Sequence, residues 1–171
     1  MNIPQTLVRL RAMEPEDLEL LYRIENDTLL WNVGSTNVPY SRYTLHDYIA
    51  TSSDDIYTDR QVRMMVENRE GRVVGIADVV NFDAKHRRAE VGVIILNHLR
   101  RQGYGYNTLL CLDDYAQRIL HLHQLYAMIA ADNHAAIDLF SKADYQLVAR
   151  LTEWLYDGKE YHDALLMQRF F

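Results

Sequence analysis

Three β-rich runs follow one another between residues 61 and 96 of this chain, and they commit it to a sheet. "QVRMMVEN" and "VVGIADVVNF" are separated by "REGR", whose Gly71 suits a tight hairpin turn, and "RRAEVGVIIL" (87–96) supplies the third run. The period then changes. Between about 103 and 119, Leu109, Leu112, Ala116 and Ile119 recur at helical spacing, "LYAMIAA" (125–131) reads as a buried strand, and 134–143 places Ala136, Leu139, Phe140 and Ala143 on one stripe. Two further β-rich runs, "YQLVARLTEWLY" and "EYHDALLMQRF", flank Asp157-Gly158-Lys159, a strong hairpin signal. Upstream, "TLVRLRAM" (6–13) alternates as a strand does, and "EPEDLELLYRIEN" reads as a helix with Pro15 in its first turn and Leu18, Leu21 and Tyr22 on one face. Residues 27–60 read as loops with a short helix around Thr44 to Ala50, a candidate substrate lid. The order predicts an α/β (α+β) fold, a mixed central sheet of about six to seven strands with helices packed on it.

A chain of 171 residues, half of them apolar, is enough for one compact core, so residues 1–171 are expected to form a single domain. Acidic residues outnumber Lys plus Arg by 24 to 18, giving a net charge of −6, which argues against nucleic acid or an anionic membrane as partner. Cys111 is the single cysteine; it excludes an internal disulfide framework and a CxxC metal site, and fits a reducing, cytoplasmic setting. No segment reads as a signal peptide or a membrane span. His121, His123, His86 and His98 lack further ligands at metal-site spacing, so no metal is expected. Cys111 has no adjacent His and reads as a structural thiol.

The stretch "LRRQGYGYNTLL" (99–110) lies between a strand and a helix. Amides at a helix start are unpaired and sit at the positive end of the helix dipole, so a turn made permissive by Gly103 and Gly105 can point them at a phosphate, with Arg100 and Arg101 alongside. The segment is neither a P-loop nor a Rossmann turn. Taken alone it reads equally well as a plain turn.

Its context resembles the GNAT superfamily of acetyl-CoA-dependent N-acyltransferases. In that family a strand leads into an Arg/Gln-x-x-Gly-x-Gly/Ala turn that holds the coenzyme A pyrophosphate; Arg100-Arg101-Gln102-Gly103-Tyr104-Gly105 matches it, followed by Tyr106. A second family motif, Asn-x-x-Ala-Ile-x-Leu-Tyr-x-Lys-x-Gly-Phe, is matched by "NHAAIDLFSKADY" at Asn133, Ala136, Ile137, Leu139 and Lys142, with Phe140 in the Tyr position. "HRRAEVGVII", the Asp-Gly-Lys hairpin and the final "ALLM" look most like the branch of spermidine/diamine and ribosomal-protein N-terminal acetyltransferases. The resemblance implies the GNAT fold, with helices on both faces of a sheet splayed at its central strand, and acetyl-CoA as co-substrate.

It also implies direct transfer, in which a neutral amine attacks the thioester and a thiolate leaves. The strand Val91, Gly92, Val93, Ile94 and Ile95 would supply backbone N–H groups to the acyl carbonyl if it splays from its neighbour near Gly92; the alternative is an ordinary sheet interior. Glu90 matches a position at the acceptor site, where a carboxylate orients the amine or takes its proton; alternatively it pairs with Arg87 or Arg88 on the surface. Phe140 is the departure that matters, because family members commonly carry there a Tyr proposed to protonate the thiolate. Tyr145 or Ser141, nearby in sequence, would have to stand in, or water. Trp31 and Tyr40, with Tyr43 and Tyr48, are candidates to wall the acceptor or simply core residues. The acidic residues of the polyamine branch's first loop have no counterpart in "NVGSTNVPYSR", and Asp27, Asp47, Asp54, Asp55 and Asp59 read either as an anionic pocket or as a solvated face. The expected activity is acetyl transfer to a primary amine of a small molecule, polyamine-like or other. The alternatives are a protein N-terminal acetyltransferase and a non-catalytic acyl-CoA-binding module. A homo-oligomer is left open.

Overall fold

The computed structural model describes residues 6–28, 38–53 and 55–171. Seven strands form one sheet in the order β1-β2-β3-β4-β5-β7-β6: β1 Val8–Arg11, β2 Val62–Asn68, β3 Val73–Asp83, β4 Arg88–Ile95, β5 Gln124–Ala130, β6 Gln146–Tyr156 and β7 Tyr161–Phe170. Every neighbouring pair is antiparallel except β4 and β5, which are joined through a helix and run parallel. The helices are α1 Leu18–Glu25, α2 Arg42–Thr51, the single turn α3 Ile56–Asp59, α4 Tyr104–Arg118 and α5 His134–Lys142. Each long element expected from periodicity is present, within two residues of its ends except α1, whose expected first turn is a separate 3₁₀ turn over Pro15–Asp17. The short α3 is an addition: Asp55 caps it by accepting from the Tyr57 N–H at 3.0 Å, a local device that leaves no hydrophobic period to read.

Alternation along the strands separates two cores. Met64, Val66, Ala77, Val79, Ala89 and Val91 pack under α4 and α5 with Leu109, Leu112, Ala116 and Phe140. On the other face Met65, Ile76 and Ile94 meet Leu21 and Ile24 of α1 and Leu45 of α2. At Gly75 of β3 a Cβ would lie 2.1 Å from the carbonyl oxygen of Ile94 in β4, so no side chain fits there.

The parallel pair holds for only three rungs: Arg88 with Gln124, Ala89 with Leu125 and Glu90 with Tyr126. Beyond Glu90, β4 stays on β3 as far as Ile95, while β5 stays on β7 from Gln124 to Ala130. The sheet therefore opens into a V between residues 91–95 and 127–130.

Candidate active site

The two sides of β4 serve different neighbours. Period two sends Ala89, Val91, Val93 and Ile95 toward α4 and α5, and Glu90, Gly92 and Ile94 toward the face that α1 and α2 cover. Backbone groups of Val91 to Ile95 that point toward β5 meet no strand there, because the ladder has ended. The sequence-predicted splay near Gly92 is thus where the V begins.

Beyond β4 the chain makes a single 3₁₀ turn and enters α4 through Gly103, which stands at φ 84° and caps the helix without any side-chain bond. A residue with a Cβ is strained in that conformation, and glycine is not. The first helical bond runs from the Asn107 N–H to the Gly103 carbonyl at 3.1 Å, so the amides of Tyr104, Gly105 and Tyr106 precede the ladder. Arg100, Arg101, Gln102 and Gly103 are all exposed at this helix start. Arg100 donates Nε to the Ile95 carbonyl at 3.1 Å, which ties the turn to the end of β4. Gly105 lies where a Cβ would be 3.1 Å from Leu139 and 3.7 Å from Ile95, so the start of α4, the end of β4 and α5 converge. The turn puts helix-start amides that precede the α4 ladder beside two arginines, an arrangement that fits a pyrophosphate cradle.

Helix α5 closes the other side. Asn133 accepts from the Ala136 N–H at 3.2 Å and so caps α5, a structural task that its place in the motif did not reveal. Lys142 sets its ammonium 5.0 Å from the Tyr106 ring, bridging α5 to α4. Phe140 is 5% exposed and meets Tyr145 edge to face at 5.0 Å.

Tyr145 requires a correction. Its hydroxyl donates to Asp113 of α4 at 2.9 Å, inside the α4–α5 core, and the residue is 2% exposed. Burial first, then the neighbouring Asp113 charge, raises its pKa. A phenol turned inward and held by a carboxylate is not placed to protonate a thiolate in the cleft. Ser141 is exposed near the C-terminal end of α5.

Glu90 stands on the last rung before the V, opposite Tyr126. It does not pair with either arginine considered from sequence: Arg88 reaches Asp83 at 3.4 Å, and Arg87 donates Nε to the His121 carbonyl at 2.7 Å. Its partner is Asn81, whose Nδ2 donates to Glu90 Oε2 at 2.8 Å. Burial raises the Tyr126 pKa, with the Glu90 charge the next cause.

One charged group at this face escaped the sequence reading. Asp78 sits directly across from Gly92 and takes both Nε (2.7 Å) and Nη2 (3.0 Å) of Arg63, which also binds Glu25 of α1. Burial pulls the Arg63 pKa down, and Asp78 and Glu25 more than offset it, so its pKa is raised. A signal existed: Asp78 interrupts the apolar run "GIADVV". The Arg63 side chain also lines a cavity of ≈ 220 Å³ with Tyr48, Thr51, Ser52, Asp59, Gln61 and Val62.

The candidate lid is only partly described. Trp31 and Gly34 lie outside the described residues, as does Asp54. Tyr40 is clamped by its backbone to Asn26, donating its N–H to Oδ1 at 2.8 Å and accepting from Nδ2 at 3.0 Å, and it packs on the α1–α2 core. Tyr43 is 81% exposed. Asp55 and Asp59 act locally, the first as a cap and the second by accepting from Ser53 Oγ at 2.7 Å. Cys111 is half-buried, its thiol 3.6 Å from the Val8 carbonyl, and burial pushes its pKa up. Among the described residues one group has metal-ligand types together, Asp157, Glu160 and His162 at the β6–β7 hairpin. Asp157 is already committed there: Oδ1 accepts from the amides of Lys159 and Glu160, and Oδ2 meets His162 Nε2 at 2.7 Å.

Comparison with known proteins agrees with this geometry. The family model described as "Acetyltransferase (GNAT) domain" matches residues 8–146. The chain is 24% identical over 160 residues to spermidine N(1)-acetyltransferase of Escherichia coli (strain K12), covering 94% of this chain and 84% of that protein. It is 23% identical over 158 residues to the enzyme of that name from Vibrio cholerae, covering 92% and 90%. The crystal structure of spermidine N-acetyltransferase from Vibrio cholerae in complex with CoA and spermine superposes with a TM-score of 0.85 at 24% identity, covering 96% of this chain and 95% of that one. The splayed sheet, the cradle at the start of α4 and a family match over most of its length make this chain a member of the GNAT acetyltransferase family.

Proposed function

We propose that this acetyl-CoA-dependent N-acetyltransferase delivers the acetyl group to a primary amine of a polyamine such as spermidine. The observation that carries the reading is Glu90, a carboxylate on the last β4–β5 rung, at the apex of the cleft where the strands part. The relatives named spermidine N(1)-acetyltransferase support the choice of amine.

In this reading the cradle of residues 100–106 holds the pyrophosphate of acetyl-CoA, and the acyl arm runs along Val93 to Ile95, between the α4 and α5 sides of the V. Free backbone N–H groups of β4 face the thioester carbonyl and the oxyanion that develops on it. The amine enters from the face of Glu90 and Gly92. Its nitrogen forms a bond to the carbonyl carbon, the carbon–sulfur bond breaks, and the surplus amine proton passes to Glu90, directly or through water. Phe140 has no proton to give and Tyr145 is committed to Asp113, so the thiolate leaves as the anion and takes its proton from water. That departure is affordable chemically, since a thiol has a pKa of about 8.5.

The lone cysteine and the need for acetyl-CoA fit action in the cytoplasm. Copies of the chain are further proposed to assemble, as in the dodecameric structure of the Vibrio cholerae enzyme, with exposed Trp154, Tyr156 and Tyr161 offering apolar surface. Thiol release from acetyl-CoA, measured with spermidine, spermine, short diamines and peptides, tests the reading. Turnover with polyamines and loss of about 10²-fold in Glu90→Gln are expected. Tight coenzyme A binding with no thiol release for any amine would instead identify a non-catalytic acyl-CoA-binding module, and turnover with peptides alone would identify a protein acetyltransferase.

A further inference from the structure

Along its pairing with β4, strand β3 slips at one place, beside Glu90. Val80 faces Glu90 and Asp83 faces Arg88, and between these rungs the register slips, leaving Asn81 and Phe82 opposite the single residue Ala89. This is a β-bulge, and its two residues point in opposite directions. Phe82 is buried at 3% exposure and meets Tyr57 edge to face at 5.1 Å. Asn81 turns outward with φ at 51°, and its amide donates to Glu90 at 2.8 Å.

The left-handed conformation costs an L-residue about 1 kcal/mol or more, less for Asn, and nothing for Gly. An exposed side chain contributes no core packing in return. The residue that would fit this backbone without strain is glycine, yet the position carries an amide aimed at a carboxylate. A bulge that re-aims a side chain, in a backbone conformation with a local cost, is a feature found at functional sites. The bulge is anchored from behind: the Phe82 N–H donates to the Arg60 carbonyl at 3.0 Å, and Arg60 Nε donates to the Phe82 carbonyl at 3.2 Å.

We propose that Asn81 is a positioning residue for acetyl transfer, its amide fixing Oε2 of Glu90 so that Oε1 is presented to the acceptor amine at the apex of the V. The inference rests on the acceptor role given to Glu90 above. An amide NH₂ facing a carboxylate oxygen has one sensible orientation, so it sets the rotamer of a side chain that otherwise has three free torsions. Tyr126, opposite Glu90 on β5, also hydrogen-bonds the Asn81 side chain, so the amide is held from a second strand.

Asn81→Gly and Asn81→Asp test this by kcat and KM for spermidine, KM for acetyl-CoA, and melting temperature. Asn81→Gly keeps the backbone conformation and removes only the amide. Its melting temperature is expected to be unchanged or higher and its KM for acetyl-CoA unchanged, while kcat/KM for spermidine falls about tenfold, the scale of a misplaced reacting group. Asn81→Asp has the same size and the same tolerance of positive φ but sets a carboxylate against Glu90, and is expected to lose at least as much. Wild-type kcat/KM for spermidine in either variant overturns the proposal. So does a fall in melting temperature of Asn81→Gly accompanied by a raised KM for acetyl-CoA, which would mark a purely structural residue. Absence of transfer by the unmodified chain overturns the functional reading and this inference with it; transfer by the unmodified chain that the variants match overturns this inference alone.

Discussion

The Tyr145 hydroxyl and the Asp113 carboxylate are joined at 2.9 Å within the core that α4 and α5 share, and this bond determines what Tyr145 does. Arg169 of β7 approaches the other oxygen of Asp113 at 3.2 Å, so the phenol, the carboxylate and the guanidinium lock the end of the sheet to two helices. In this arrangement the Tyr145 hydroxyl is committed to the core.

Tyr145→Phe should therefore retain kcat within about twofold while losing about 2 kcal/mol of stability, the usual cost of withdrawing a hydrogen bond from a buried carboxylate. Parallel thiol-release kinetics and denaturant titration check it. A kcat loss of 10²-fold in a fully folded variant would restore Tyr145 to the chemistry.

Phe140→Tyr places a hydroxyl where the related enzymes are expected to carry their acid. Phe140 is 5% exposed in the core under α4 and α5 and meets Tyr145 edge to face, so any catalytic gain requires the added oxygen to turn toward the cleft and away from Tyr145. Turnover should rise by about tenfold, within the ordinary gain from general-acid catalysis, with KM for acetyl-CoA little changed. A flat or lower rate in steady-state assays would mean that water already meets the demand.

Gly103→Ala addresses the cradle. The added Cβ meets Leu7 at 3.4 Å, an ordinary contact, so the penalty comes from the backbone at φ 84°. About 1 kcal/mol of stability and a several-fold rise in KM for acetyl-CoA are expected, with kcat for bound substrate less affected. Isothermal titration with coenzyme A reads the affinity directly.

Stability between pH 4 and 7 should carry the signature of Asp113. Burial pushes its carboxyl up from the usual 3.8 to about 6, partly countered by Arg169 and by the Tyr145 hydrogen bond. A folded-state pKa above the unfolded one means that the folded form holds the proton more tightly. The contribution is complete below about pH 4 and is lost as pH rises through about 6, on the order of 3 kcal/mol by proton linkage. Melting curves of Asp113→Asn against the unmodified chain should diverge over this window, the variant keeping the stability that the wild type loses. Parallel curves would show that Asp113 does not titrate there.

Much of this architecture was legible in the chain because it follows from local periodicity. Alternation in "QVRMMVEN" and "VVGIADVVNF", the helical stripe of Leu109, Leu112 and Ala116, and the Asp157-Gly158 hairpin each encode an element without reference to distant residues. The strand-to-helix turn was legible too, since Gly103 and Gly105 make it permissive and its neighbours in sequence are its neighbours in space. The direction of a side chain within an assembled core is another matter. Tyr145 is five residues from Phe140 and looked available to the same sulfur, but thirty-two residues upstream Asp113 takes its hydroxyl inward. Glu90 lay beside two arginines in sequence and bonds neither; its partner Asn81 reaches it only because a bulge displaces β3 by one residue. Arg63, Glu25 and Asp78 come from three elements and meet only when α1 lies on the sheet. The sequence by itself determined the order of elements, the strand–cradle–helix unit and the face each apolar residue takes, because these are set by spacing along the chain. Tertiary structure alone decided which polar groups are spent on the core and which stand in the cleft, because a hydrogen bond is fixed by the approach of two surfaces and not by the distance between their residues in sequence.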